Sequence, residues 1–243
     1  VGSRSTKLML GDFMLTSGHG LVFSGPFGYS PSFVSPWRYY GRSTRLKPYS
    51  STDENLALRG VGLSSQLGRW KVSIVASHAR VDARLDEDGR IVAFASSGYH
   101  VTESEIESKD AVKEDLLGTV VEFGNQTVRA QASLSLTRYS HTFATSWSDR
   151  IKGRTNFIGG VDFVVGTKNY LFGEFALTRA NRKALQVGLL ARGATTEGFV
   201  IARHYERGFF NRHANPFARY STITEGESGL FTLLTFEPLT NVR

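Results

Sequence analysis

Residues 127–137 alternate without a break: Val128, Ala130, Ala132, Leu134 and Leu136 are apolar, and Thr127, Arg129, Gln131, Ser133, Ser135 and Thr137 are polar. Successive side chains of a strand point to opposite faces, so this segment has one apolar and one polar face along its whole length. A strand in an ordinary soluble sheet runs about 5–6 residues, whereas one that crosses a bilayer needs about 9–11. The pattern predicts a strand of the longer kind. Trp70, Val72, Ile74 and Ala76 alternate with Lys71, Ser73 and Ser77, and Leu185, Val187, Leu189 and Ala191 alternate with Gln186 and Gly188. Phe199–Tyr205 alternates less cleanly, with Arg203 at an apolar position.

Ten strands are predicted: Lys7–Ser24, Asn55–Gln66, Trp70–Arg84, Asp115–Gly124, Gln126–Tyr139, Thr155–Gly166, Tyr170–Thr178, Lys183–Arg192, Glu197–Glu206 and Ser228–Pro238. Short Gly- or Asn-containing connections at Gln66–Arg69, Gly124–Gln126, Gly166–Asn169 and Gly193–Thr196 suit hairpin turns. Long ones lie between them at Gly25–Glu54, Leu85–Glu114, Ser140–Arg154 and Arg207–Glu227; Ala180–Arg182 is short where a long one is expected. Such alternation of short turns and long loops is the asymmetry of outer-membrane barrels.

Thr102–Lys113 is the one predicted helix, opened by Thr102 and Glu105 at capping-box spacing. The 25–54 loop holds Pro26, Pro31, Pro36 and Pro48 with Phe33, Trp37, Tyr39 and Tyr40. It reads equally as a plug folded into the barrel or as an outer loop with an aromatic rim. Trp37, Arg38, Arg42, Arg45, Lys47 and Tyr49 are its loop or plug candidates. Aromatic residues near strand ends (Trp70, Tyr139, Tyr170 and Tyr205, with Trp147, Phe209 and Phe210 nearby) are expected to form interfacial girdles.

Composition narrows the picture little. The 243 residues contain no cysteine, which excludes disulfides and thiolate metal sites. No apolar run reaches the length of a membrane helix; even Ile158–Val165 is interrupted by Asp162. A barrel escapes that requirement, because only alternate residues face lipid. The net charge of +7 is scattered apart from Arg38, Arg42, Arg45 and Lys47, and is assigned to solvated loops and a polar lumen. No nucleic-acid partner is expected. Residues 1–7 lack the apolar core of a signal peptide.

Candidate chemistry is sparse. The six histidines, His19, His78, His100, His141, His204 and His213, include no pair at the helical spacing of a zinc site. A metal loop at His100, Glu103 and Glu105 competes with helix capping. Ser140 and His141, with Asp149 nearby, could open a hydrolase site. Asp86–Gly89 lacks the ligand spacing of a calcium loop and fits a hairpin turn. Lys71, Ser73, Arg129, Gln131, Ser133 and Ser135 are the expected lumen-facing residues. Glu122 and Glu174 fall in step with apolar positions of their strands, and Glu174 would share the lumen face if the chain bulged near Gly173.

Gly11-Asp12-Phe13, Ser17-Gly18-His19-Gly20-Leu21, Arg45-Leu46-Lys47-Pro48-Tyr49-Ser50-Ser51, Asp53-Glu54-Asn55 and Leu58-Arg59-Gly60 follow in a fixed order, with Ser96–Ile106 after one hairpin. This set resembles the β-barrel region of the large outer-membrane proteins of Bacteroidota known as helix-hairpin-helix domain proteins. It is strong from about Lys7 to Glu114 and weak beyond. Phe13 departs mildly from that family's pattern, and His19, Lys47 and Val101 depart more. The helix-hairpin-helix module is not visible here, so DNA binding does not carry over. The resemblance implies an outer-membrane location and a barrel, and no settled activity.

The expectation is an all-β, antiparallel transmembrane β-barrel of about 10 strands, within a range of roughly 8–14, as one domain over 1–243. It is whole or part of a larger barrel, with a helix-bearing loop at 85–114. Its expected role in the Gram-negative outer membrane is structural, channel, transport or assembly, without catalysis, metal or cofactor. Its expected partners are outer-membrane lipid and other envelope proteins or further barrel segments. A soluble β-barrel or sandwich that binds a ligand or protein is the alternative, and a barrel-embedded hydrolase the third reading.

Overall fold

The computed structural model describes residues 4–24, 43–50, 57–95, 100–219 and 226–236, and every structural statement below refers to these. The long strands are β1 (Arg4–Thr16), β3 (Leu58–Leu67), β4 (Trp70–Val81), β7 (Val112–Gly124), β8 (Val128–Tyr139), β9 (Thr155–Gly166), β10 (Tyr170–Thr178), β11 (Lys183–Arg192), β12 (Thr196–Tyr205) and β13 (Glu227–Phe236). With the short β2 (Arg45–Pro48) they form one antiparallel sheet of 11 strands, in the order β13-β12-β11-β10-β9-β8-β7-β4-β3-β1-β2. β5 (Ala83–Leu85) and β6 (Ile91–Phe94) pair separately as a hairpin. All ten predicted strands are present, and the architecture is all-β. The barrel closure expected from the sequence is not seen among the described residues: β13 and β2 stand at the two edges of the sheet.

The sheet is strongly curled. Eleven strands spaced about 4.8 Å apart would span roughly 50 Å if flat. Yet Phe13 of β1, Val75 of β4, Ile158 of β9, Ala184 of β11 and Tyr205 of β12 share one buried cluster. Curling gives every strand an inner and an outer face, and in β8 and β11 the alternation turns the apolar set outward. In β8, Leu134 is 49% exposed and Ser133 5%. In β11, Leu189 is 47% exposed and Gln186 0%. Each of the ten long strands puts at least one large apolar side chain on the exposed face.

The short turns β3–β4, β7–β8, β9–β10 and β11–β12 lie at one end of the sheet, and the long connections at the other. Gly166 shows why a turn needs glycine. Its φ is +146°, and a Cβ there would sit 1.8 Å from the Asn169 carbonyl oxygen. At the long-loop end, charges occupy the outward positions: Arg80 faces Lys113, and Asp115 faces Arg138 and bonds His78. They bound the apolar surface on that side.

Three expectations about local structure need correction. The helix, α1, covers Glu103–Ser108 and not Thr102–Lys113. Its capping box forms as read, but Asp110 adopts φ +53° and Val112 already pairs with Val81 in the sheet. The 25–54 loop contains a strand, since Arg45–Pro48 pairs with Phe13–Thr16. The first predicted strand stops at Thr16, and residues 17–24 turn inward.

Candidate functional site

Residues 17–24 run across the inner face of the sheet, and Ser17 to Phe23 are all buried. Gly18 and Gly20 take positive φ, +52° and +91°, and so break the alternation that would have continued β1. A segment buried outside any ladder must find partners for its peptide groups elsewhere. The inner face supplies them. Gly18 N donates to Gln131 Oε1 at 3.0 Å, and His19 N and Leu21 N donate to Glu174 Oε2 at 2.8 and 3.1 Å. Gln186 Nε2 donates to the His19 carbonyl at 3.0 Å. Ser17 N closes the loop on the Phe23 carbonyl at 3.0 Å. The opposite side is held by the β12–β13 connection, where Asn211 Nδ2 donates to the Leu21 and Val22 carbonyls, both at 2.8 Å.

Apolar contacts complete the seat. Phe23 lies over Gly118 of β7, where a Cβ would come within 2.6 Å of its ring. Val22 lies over Gly160 of β9, where a Cβ would meet its methyl at 2.5 Å. Neither strand glycine is required by backbone conformation, so each is explained by the side chain it admits.

His19, Asp162 and Glu174 form the one group of three buried potential metal ligands among the described residues, with a ligand atom from each within 4.8 Å of the others. Asp162 of β9 and Glu174 of β10 are direct cross-strand partners. His19 Nδ1 makes a short contact with Asp162 Oδ2. The imidazole stacks on Phe172, with ring centroids 4.9 Å apart. Asp162 Oδ1 has no hydrogen-bond partner among the described residues. Two carboxylates and an imidazole in a dry interior are an electrostatic demand, because buried charge must be paired or neutralised.

The residues singled out from the sequence divide as follows. Ser73, Gln131, Ser133 and Ser135 are buried on the inner face. Lys71, half-buried, donates to the Thr44 carbonyl, and Arg129 is also half-buried. The structure adds work for two of them: Gln131 holds Gly18, and Ser133 Oγ bonds Ser17 Oγ at 3.1 Å. Glu174 reaches the inner face without a bulge, since its registers with Asp162 and Gln186 are unbroken. The inner face also carries apolar residues, which is why Glu174 and Glu122 looked out of step. Glu122 accepts from Ser43 Oγ and Thr44 N at 2.9 and 2.7 Å.

Of the loop candidates, Arg45 and Lys47 are exposed on β2, and Tyr49 N bonds the Asp12 carbonyl. Arg45, Lys47 and Lys71 line a cavity of about 270 Å³ with Lys7. Trp37, Arg38 and Arg42 lie outside the described residues. The girdle expectation fails at Tyr139, Tyr205 and Phe209, which are buried. Tyr139 instead joins Phe94 and Phe143 in an aromatic cluster under the long loops, and Trp147 and Phe210 pack on it too. Trp70 remains exposed, against Phe123.

The other candidate sites dissolve into local structure. Ser140 Oγ and His141 Nδ1 are 2.8 Å apart, but no carboxylate bonds His141 among the described residues. His100 bonds Asp82 at 2.9 Å. Glu105 caps α1 through the Thr102 and Val101 N–H groups, which hold its carboxyl below the usual glutamate range. The Arg90 N–H and guanidinium likewise hold Asp86 low, in the β5–β6 turn. No spacing motif marks His19, Asp162 and Glu174 along the chain. Its one usable signal was a carboxylate in mid-strand in both β9 and β10. Comparison with protein-family models, curated proteins and solved structures finds no match for this chain.

Proposed function

We propose that this chain is the wall of a bacterial outer-membrane β-barrel whose interior is closed by its own inward segments. The observation that carries the reading is the outer face of the sheet, where every long strand exposes large apolar side chains, while serine, glutamine and carboxylates lie among the apolar residues of the buried face. In water, ten strands of exposed leucine, valine and phenylalanine would far exceed the few hundred Å² of apolar patch that monomers tolerate. Lipid removes that problem. The strand lengths, the sorting of short turns and long loops to opposite ends, and the family resemblance support the same reading.

An outer-membrane location, with lipid as the principal partner, follows as part of the proposal. In this reading the open edges at β13 and β1–β2 are completed by further strands or by another envelope protein, since an unpaired strand edge is not tolerated in hydrocarbon. The role is structural or gated. Residues 17–24 and the β12–β13 connection occupy the inner face, so any transported solute requires their displacement.

Membrane extraction tests the proposal. The chain, expressed with export to the outer membrane, is expected to resist a high-pH carbonate wash and to need detergent for release. Recovery in the aqueous fraction without detergent would refute the membrane reading. The soluble alternative would then require a partner covering the outer face.

A further inference from the structure

We infer that His19, Asp162 and Glu174 form a binding site for one divalent cation of zinc type, which clasps the inward segment to the wall. The inference rests on the buried geometry alone and is independent of the membrane reading. The first observation is two buried carboxylates side by side with an imidazole. Glu174 Oε2 accepts three N–H groups, from His19, Leu21 and Gln186, which fixes its carboxyl group in place. Asp162 is buried beside it. Neither carboxylate has a lysine or arginine partner among the described residues. A divalent cation is a partner that the imidazole and both carboxylates can share.

The second observation is Asp162 Oδ1. It is buried, on a side chain only 3% exposed, and has no hydrogen-bond partner among the described residues. Such an oxygen costs free energy unless something binds it. The backbone is also shaped to the site: a Cβ on Gly18 would lie 3.1 Å from Asp162 Cβ and from Glu174 Oε1. Glycine therefore lets the main chain approach both carboxylates and set the imidazole between them.

The donor set selects the metal. One imidazole and two carboxylates suit zinc, whose bonds to such ligands are about 2.0–2.2 Å. Tetrahedral ligands then sit about 3.3 Å apart, so groups now within 4.8 Å need to draw in by at most about 1.5 Å. Calcium and magnesium need six or more oxygens or retained waters, which this packed interior does not provide.

The test uses the whole chain, unfolded with chelator and refolded with and without Zn²⁺, in whatever detergent or buffer keeps it dispersed. The expected result is about one zinc per chain after gel filtration and a higher unfolding temperature in its presence. Co²⁺ should give a visible d–d band on binding. Asp162→Asn and His19→Gln are each expected to weaken zinc binding by about tenfold or more. Glu114→Gln, in a separate buried cluster with Arg212 and His213, is expected to leave it unchanged. Folded wild-type protein that holds no zinc and unfolds at the same temperature with and without it would overturn the inference. So would zinc retained equally by Asp162→Asn and His19→Gln. If neither variant folds, the wild-type measurements decide.

Discussion

A depth series of arginine substitutions along β8 separates lipid from water as the medium around the outer face. Val128, Ala130, Ala132, Leu134 and Leu136 all point outward and are exposed. Val128 to Leu136 spans roughly 27 Å of strand at about 3.4 Å per residue. A tilt of about 40° reduces that to roughly 20 Å along the membrane normal, close to the apolar band of about 25 Å. Ala132 is then near the midplane. Arg138, already outward, lies at the charged rim. Arginine should therefore cost about 2–4 kcal/mol at Ala132 and Leu134, and about 0–1 kcal/mol at Val128 and Leu136. In water the same substitutions at exposed positions would each stay within about 0.5 kcal/mol. The assay is reversible urea unfolding in phospholipid vesicles, followed by tryptophan fluorescence. A flat profile across the five positions would refute the assignment of the outer face to lipid. Ser133→Arg is a poor control, because Ser133 is buried against Ser17. The inner face is packed and cannot take up a new charge as an aqueous lumen would.

The remaining predictions concern the inner face and the loops. Gly160→Val should drive a side chain into Val22 and destabilise by about 1–3 kcal/mol, read as a lower urea midpoint, with new proteolysis near residues 17–24. Unchanged stability would mean that Val22 does not pack on Gly160. Gln186→Leu removes the donor to the His19 carbonyl and to Glu174, and should cost about 1–3 kcal/mol by the same assay. The Glu105 carboxylate is stabilised in the folded state, which lowers its pKa, so its cap is intact above the ordinary glutamate range and fails as pH falls below it. Amide exchange at Val101 and Thr102 should accelerate in acid, and Glu105→Gln should flatten that pH dependence.

The strands were legible because their signal is local and periodic. Thr155–Gly166, Tyr170–Thr178 and Lys183–Arg192 were bounded correctly at both ends, since glycine, asparagine or a charge interrupts the alternation there. What the periodicity cannot carry is where a segment goes once it leaves the sheet. Ser17–Ser24 reads as more of β1, and only the positive φ at Gly18 and Gly20 turns it inward. The aromatic residues failed as girdle markers for a related reason. Tyr139 and Tyr205 do sit at strand ends, but inward, under loops whose packing depends on residues far off in sequence. The His19, Asp162 and Glu174 cluster joins positions 143 and 155 residues apart, and no spacing rule reaches that far.

The inner face has a consequence for how such a sheet keeps its inserted segment. A ladder strand is held by neighbours that are themselves backbone, so no single side-chain change removes it. Residues 17–24 are held mainly by side chains reaching from the wall: Gln131, Glu174 and Gln186 from three different strands, and Asn211 from a loop. Each such bond contributes only about 0.5–1.5 kcal/mol net. None of these bonds belongs to the ladder, so release of the segment costs them and the burial of Leu21, Val22 and Phe23 but breaks no ladder bond. Glu174 alone accepts two of the segment's peptide N–H groups, so replacing it should loosen the segment. Glu174→Gln should raise amide exchange at His19 and Leu21 while leaving the β7–β8 ladder protected. Equal exchange in both regions would mean that the segment and the wall open only together, and a gated interior would then have no physical basis.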